Sequence, residues 1–87
     1  MTNYCFIPVP DNNQLHRVAK VYKNVNGYFP LGKRNPNDPN ELDKFVGRYD
    51  EVKIICNMWN ERLKLSENQV DEIVLMSFSA EEEESNG

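Results

Sequence analysis

From Tyr49 to Leu65 the chain reads YDEVKIICNMWNERLKL, with Val52, Ile55, Cys56, Trp59 and Leu63 recurring at the spacing of one helix face. That period predicts a helix over residues 50–65. Asp50 stands where an N-cap belongs and Glu51 follows it in the positive first turn. Arg62 and Lys64 fall in the last turn, where cations suit the helix dipole. Trp59 brings the largest apolar surface to this face. A second stripe, Ile54, Met58 and Leu65, projects about 140° or more from its centre. A following helix packed there is the simplest cover, and a dimer seam or a docking site for another protein is the other use of such a stripe.

The flanking patterns are shorter. Residues 3–9, NYCFIPV, are aromatic and β-branched and predict a strand, which Pro8 and Pro10 confine to a sheet edge because proline cannot donate to the ladder. Asp11, Asn12 and Asn13 form a turn cluster. Residues 14–24 fit two patterns. Leu15, Val18, Ala19 and Tyr22 match helical spacing, whereas Val18–Tyr22 is β-prone and runs into Asn26-Gly27, a hairpin signal, before a returning strand at Tyr28–Leu31. The hairpin is the reading adopted. Residues 32–40, GKRNPNDPN, predict a loop, and 41–47 a turn or last short strand with Phe45 and Val46 in the core. Ser66 and Gln69 match a capping box, so a second helix should begin at Glu67, with Val70, Ile73, Val74 and Ser77 as its buried stripe. Its second half, IVLMSF, is apolar nearly all round and also fits a buried strand. AEEEESNG then closes the chain as a solvated tail.

The expected fold class is therefore α+β: a small antiparallel sheet of two or three strands packed against two C-terminal helices. One compact domain should span residues 1–80, with strands and hairpin in 1–32, a loop in 33–49, and helices in 50–65 and 67–80. Residues 81–87 are expected to form a disordered acidic tail. A chain of 87 residues has a thin core, removing roughly 60–65% of its unfolded surface from water. No run reaches the roughly 18 apolar residues of a membrane span, and MTNYCFIPVPDNN lacks the features of a signal peptide. No membrane is expected as a partner, and the expected location is the cytoplasm.

Charge is polarised along the chain. Residues 1–49 carry seven basic side chains against four acidic ones, residues 50–80 three against six, and Glu81–Glu84 add four more acids. This bears on partners rather than on fold.

Few residues invite chemistry. His16, the only histidine, has no nucleophile pointing to it in the sequence and reads as a surface residue. Cys5 and Cys56, the only cysteines, sit in apolar settings and form no metal-binding pair, so buried free thiols are expected; a disulfide between them is the alternative, which an intracellular setting disfavours. NPNDPNELD, residues 35–43, is rich in oxygen donors but lacks the glycine and distal glutamate of an EF-hand loop, and reads as turns. No phosphate-binding or zinc-protease motif occurs. Paired carboxylates at Asp50/Glu51 and Asp71/Glu72 read as solvated faces. No cofactor and no catalytic residue are expected.

The features that suggest binding are two. An acidic helical face with the second stripe, Ile54, Met58, Glu61, Leu65, Asp71 and Glu72, would suit a protein partner whose surface is basic. A basic, aromatic hairpin, Arg17, Lys20, Tyr22, Lys23, Tyr28, Phe29, Lys33 and Arg34, has the composition that single-stranded nucleic acid requires. The first is the expected function, non-enzymatic protein binding with a homodimer as a second arrangement; the nucleic-acid module is the alternative.

The run from Tyr49 to Ser79, with Asn60-Glu61-Arg62-Leu63-Lys64-Leu65-Ser66 and the acidic amphipathic segment ending Ile73-Val74-Leu75-Met76-Ser77, resembles small uncharacterised proteins encoded by phages and prophages. In those a strand hairpin precedes the helix, and Asn26-Gly27-Tyr28-Phe29-Pro30 would supply it here. The resemblance covers about the last two-thirds of the chain. It implies a mobile-element origin, and such proteins as a class have no established activity. The expected role, a small accessory or inhibitory protein that docks on a host or phage protein, comes from the binding features above. The long N-terminal arm and the second proline-rich loop depart from that pattern.

Overall fold

A computed structural model of the chain describes residues 2–32 and 44–85, the last six of these as backbone. Strands β1 (Tyr4–Pro10) and β2 (His16–Tyr22) pair antiparallel along their whole length, from Tyr4 opposite Tyr22 to Pro10 opposite His16. The turn between them is held by the Asp11 amide on the Leu15 carbonyl at 2.8 Å and the Leu15 amide on the Asn12 carbonyl at 3.0 Å. Asn13 and Gln14 take left-handed φ values of 56° and 64° there, a conformation asparagine accepts more readily than most residues.

The free side of β2 is shared by two short strands, β3 (Phe29–Pro30) and β4 (Val46–Gly47). Val18 bonds to both neighbours of the gap: its amide reaches the Phe45 carbonyl and its carbonyl accepts from the Leu31 amide, each at 2.9 Å. β3 and β4 thus act as one interrupted strand. The expected hairpin at 14–31 is present, although its connection runs over residues 23–28 rather than a two-residue turn; Gly27 meets the φ of +99° required there. The calcium-loop reading of residues 35–43 lies outside the described residues.

β1 is the edge strand its prolines demand. Asn3, Cys5, Ile7 and Val9 face β2 through their backbone, as the Lys23 amide on the Asn3 carbonyl at 2.8 Å marks, so the even-numbered positions turn their polar groups outward. Pro8 and Pro10 occupy two of those outward positions and cost the ladder nothing. Phe6 occupies a third, and Asn60 satisfies it: the Phe6 amide donates to Asn60 Oδ1 at 2.8 Å, and Asn60 Nδ2 donates to the Phe6 carbonyl at 2.9 Å.

Two helices follow, α1 (Tyr49–Arg62) and α2 (Glu67–Ser85), giving the expected α+β arrangement. They pack on the sheet and scarcely touch each other. Alternation along the strands separates their contacts. Val52 and Cys56 of α1 join Val18, with Phe6, Leu31, Phe45, Ile55 and Trp59 around them. Ile73 of α2 joins Cys5 and Val21 on the opposite face, with Ile7, Leu65, Val70 and Val74. Trp59 packs edge-on against Phe6 and Phe45, with ring centres 5.0 and 6.0 Å apart. Ser77, fully buried, donates its hydroxyl to the Val25 carbonyl at 2.6 Å and ties α2 to the β2–β3 connection.

Helix ends differ in part from the sequence reading. Arg48, not Asp50, occupies the N-cap of α1, because only one residue separates β4 from the first turn; Asp50 and Glu51 lie inside that turn. α1 stops at Arg62 rather than Leu65. Lys64 takes a left-handed φ of 61°, the Lys64 amide bonds to the Glu61 carbonyl at 2.9 Å and the Leu65 amide to the Asn60 carbonyl at 3.0 Å. This is a Schellman motif. α2 opens with the predicted capping box: the Ser66 amide donates to Gln69 Oε1 at 2.8 Å and the Gln69 amide to Ser66 Oγ at 3.2 Å. Its backbone stays helical to Ser85, five residues beyond the expected end.

Candidate functional site

The two helices leave a groove between them along the outer side of β1. One half, about 480 Å³, is lined by Lys53, Asn57, Asn60 and Glu61 of α1, by Leu65 and Ser66, and by Glu67, Val70 and Asp71 of α2. The other half, about 420 Å³, is more apolar: Ile7 and Pro8 of β1, Tyr49, Val74, Leu75 and Phe78, with Lys53, Val70 and Asp71 common to both. Helical geometry explains the lining. With Val52, Cys56 and Trp59 turned to the sheet, Tyr49, Lys53 and Asn57 come to one flank of α1; with Ile73 and Ser77 turned to the sheet, Asp71, Leu75 and Phe78 come to one flank of α2. Leu75 is 65% exposed and Phe78 53% exposed.

The acidic and apolar candidates are divided by this arrangement. Glu61, Leu65 and Asp71 meet in the groove. Ile54 and Met58 do not; they lie exposed on the outer side of α1, and α2 does not cover them, which overturns the expected packing of the second helix on that stripe. Leu65 leaves the stripe because the helix ends before it, and it packs against the Cys5, Val21 and Ile73 cluster instead. Glu72 turns to the other flank of α2, where a carboxylate oxygen lies 3.8 Å from Lys23 Nζ. Asp50, Glu51, Asp71 and Glu72 are all exposed. Tyr49, Lys53, Leu75 and Phe78 were not singled out in the sequence, because a groove between elements follows from how they cross, not from their periods.

The basic hairpin is divided too. Arg17 is 7% exposed; one guanidinium nitrogen donates to the Leu31 carbonyl at 2.8 Å and the other sits 3.3 Å from Asp11 Oδ2. Its role is to hold the β1–β2 turn to the end of β3, and it does not belong to an open basic surface. Lys20 lies over the Tyr4 ring at 4.1 Å and the Tyr22 ring at 5.2 Å. Tyr22 meets Phe29 edge-on at 5.7 Å, and Tyr28 and Phe29 are each 47% exposed. Lys33 and Arg34 lie outside the described residues.

Both cysteines are buried and free. Burial pushes the Cys5 thiol from 9.0 up to about 11, with the Asp71 carboxylate adding to the rise. Burial does the same at Cys56, also to about 11, against a lesser opposing pull from Lys53. Protonated, inaccessible thiols are poor nucleophiles. His16 is half-buried rather than on the surface, its ring edge-on to Tyr49 at 5.1 Å, and its Nδ1 is buried without a hydrogen-bond partner. Among the described residues no group of three or more His, Cys, Asp or Glu side chains is gathered to hold a metal ion, and no helix is long and apolar enough to cross a membrane.

Comparison with known proteins finds no matching family model, no matching curated protein and no matching solved structure.

Proposed function

We propose that this chain is a small non-enzymatic accessory protein that binds another protein through its helical side. The observation that carries the reading is the exposure of large apolar side chains along the groove between two helices that do not cover each other: Tyr49 at 52%, Leu75 at 65% and Phe78 at 53%. Carboxylates of Glu61, Glu67 and Asp71 stand beside them at the groove, so a partner with a basic, partly apolar surface is the complement. The acidic run Glu81–Glu84 extends the same sign. An inhibitory or accessory role on a host or phage protein in the cytoplasm extends this reading of the helical side, and the sequence resemblance adds a phage or mobile-element origin.

The test is capture with the tagged chain from host lysate, split into nuclease-treated and untreated halves. The expected result is a protein retained after nuclease and lost when Asp71 is changed to Lys. A partner released by nuclease would reverse the assignment. That outcome would favour the second reading, a nucleic-acid module on the open end of the sheet, where Lys20, Tyr4, Tyr22 and Phe29 stand together. Such binding would fall steeply with salt and depend on Lys20.

A further inference from the structure

Three features of the groove limit what can lie in it. The first is its floor. Partners that add a strand need a row of free amides and carbonyls on a sheet edge, and β1 offers no free amide across its middle: Pro8 has no amide hydrogen, and both polar groups of Phe6 are bonded to Asn60. The second is its walls, two helices with apolar side chains at one end and polar ones at the other. The third is charge. Lys53 is the one cation among the described lining residues, against Glu61, Glu67 and Asp71. A second copy of this chain fits poorly, because its exposed apolar helical positions themselves stand near carboxylates, Ile54 and Met58 near Asp50, Glu51 and Glu61, and Leu75 and Phe78 near Asp71, and would bring acid to acid.

We infer that the groove takes a single amphipathic α-helix of a partner protein, its apolar side chains against Tyr49, Leu75 and Phe78 and its Lys or Arg side chains against Glu61, Glu67 and Asp71. This rests on the protein-binding reading above and adds the mode and chemistry of the partner. The occupant becomes a third helix over the β1 edge, filling the space that α1 and α2 leave between them. Asp71, at the junction of the two halves, sets the point where the guest's apolar face gives way to its basic end.

The test uses the full chain, labelled for amide NMR, and synthetic peptides of about 14 residues, roughly four helical turns. One peptide carries Leu at i, i+3, i+4 and i+7 with Lys at one end; its counterpart carries Glu in place of Lys. The basic peptide is expected to bind, shifting amides of the groove residues Tyr49, Lys53, Val74 and Phe78. Phe78→Ser and Asp71→Lys should each weaken it by about tenfold, while Ile54→Ser, on the outer side of α1, changes it by less than about twofold. All three positions are exposed, and thermal melts confirm that the variants stay folded. Equal binding of the acidic peptide, shifts confined to the outer side of α1, or no binding of the basic peptide would overturn the inference. A dimer in sedimentation that Phe78→Ser dissolves would overturn it too, since the occupant would then be a second copy. If a nuclease-resistant protein is still captured by the Phe78→Ser chain, the groove is wrong and the protein-binding reading stands. If the captured partner is lost with nuclease, both fail.

Discussion

Asn60 shows how one side chain decides whether a sheet edge is sealed. It lies eight residues after Val52 and four after Cys56, so it falls on the buried stripe of α1, where a polar residue must find partners. Its amide finds both in Phe6, acting as a one-residue substitute for a neighbouring strand. Asn60 is 5% exposed, so removing it leaves a backbone donor and acceptor of half-buried Phe6 unpaired. Asn60→Ala should therefore cost about 2–4 kcal/mol of unfolding free energy, measured by urea denaturation, well above the cost of an exposed substitution on the same helix. A loss below about 0.5 kcal/mol would mean that water seals the edge as well as the side chain does. Arg17 makes the same point with a charged side chain. Its position in a basic hairpin suggested a ligand contact, and its burial against Asp11 and the Leu31 carbonyl makes it a structural tie.

At the scale of elements, the junction of α1 and α2 is set by two local devices, and only one follows the usual residue preferences. The Ser66–Gln69 capping box was legible because both residue types and their spacing match the rule. The end of α1 was not, because the left-handed position of its Schellman motif holds Lys64 where glycine is the common choice. A side chain at positive φ carries a steric cost that glycine avoids. Lys64→Gly should accordingly raise the thermal midpoint, by the equivalent of about 0.5–1 kcal/mol; an unchanged or lower midpoint would show that the Lys64 side chain contributes elsewhere. The same contrast covers the rest of the fold. The edge position of β1 could be read from Pro8 and Pro10, and the core stripes from Val52, Cys56, Ile73 and Ser77, since these are local signals. That α1 and α2 take opposite faces of the sheet depends on the β1–β2 register, which no local period encodes. For that reason the Ile54/Met58 stripe was wrongly given to α2, and of the groove only Glu61, Leu65 and Asp71 were anticipated.

For the molecule as a whole, the consequence of two clusters on one pair of strands is shared fate. β1 and β2 supply Cys5 and Val21 to the α2 side and Phe6 and Val18 to the α1 side, so separating the strands exposes both clusters at once. Each cluster contains one cysteine, which makes the coupling measurable. In the single-thiol variants Cys5→Ala and Cys56→Ala, the remaining thiol should react with a disulfide reagent only as the chain unfolds, with its reactivity midpoint in urea matching the loss of helical signal in that variant. The pH dependence follows from the same burial. Both thiols are raised from 9.0 to about 11, so the folded chain keeps protons that the unfolded chain releases first. Their contribution to stability is fully present below pH 9 and is lost as pH rises towards 11, and the double variant Cys5→Ala/Cys56→Ala should show a shallower fall across that window. If the Cys56 thiol reacts well before the helical signal is lost while the Cys5 thiol does not, α1 opens without α2. The α1 wall of the groove would then be lost before its α2 wall, and partner binding would have to be read as stabilising α1 in place rather than meeting a finished surface.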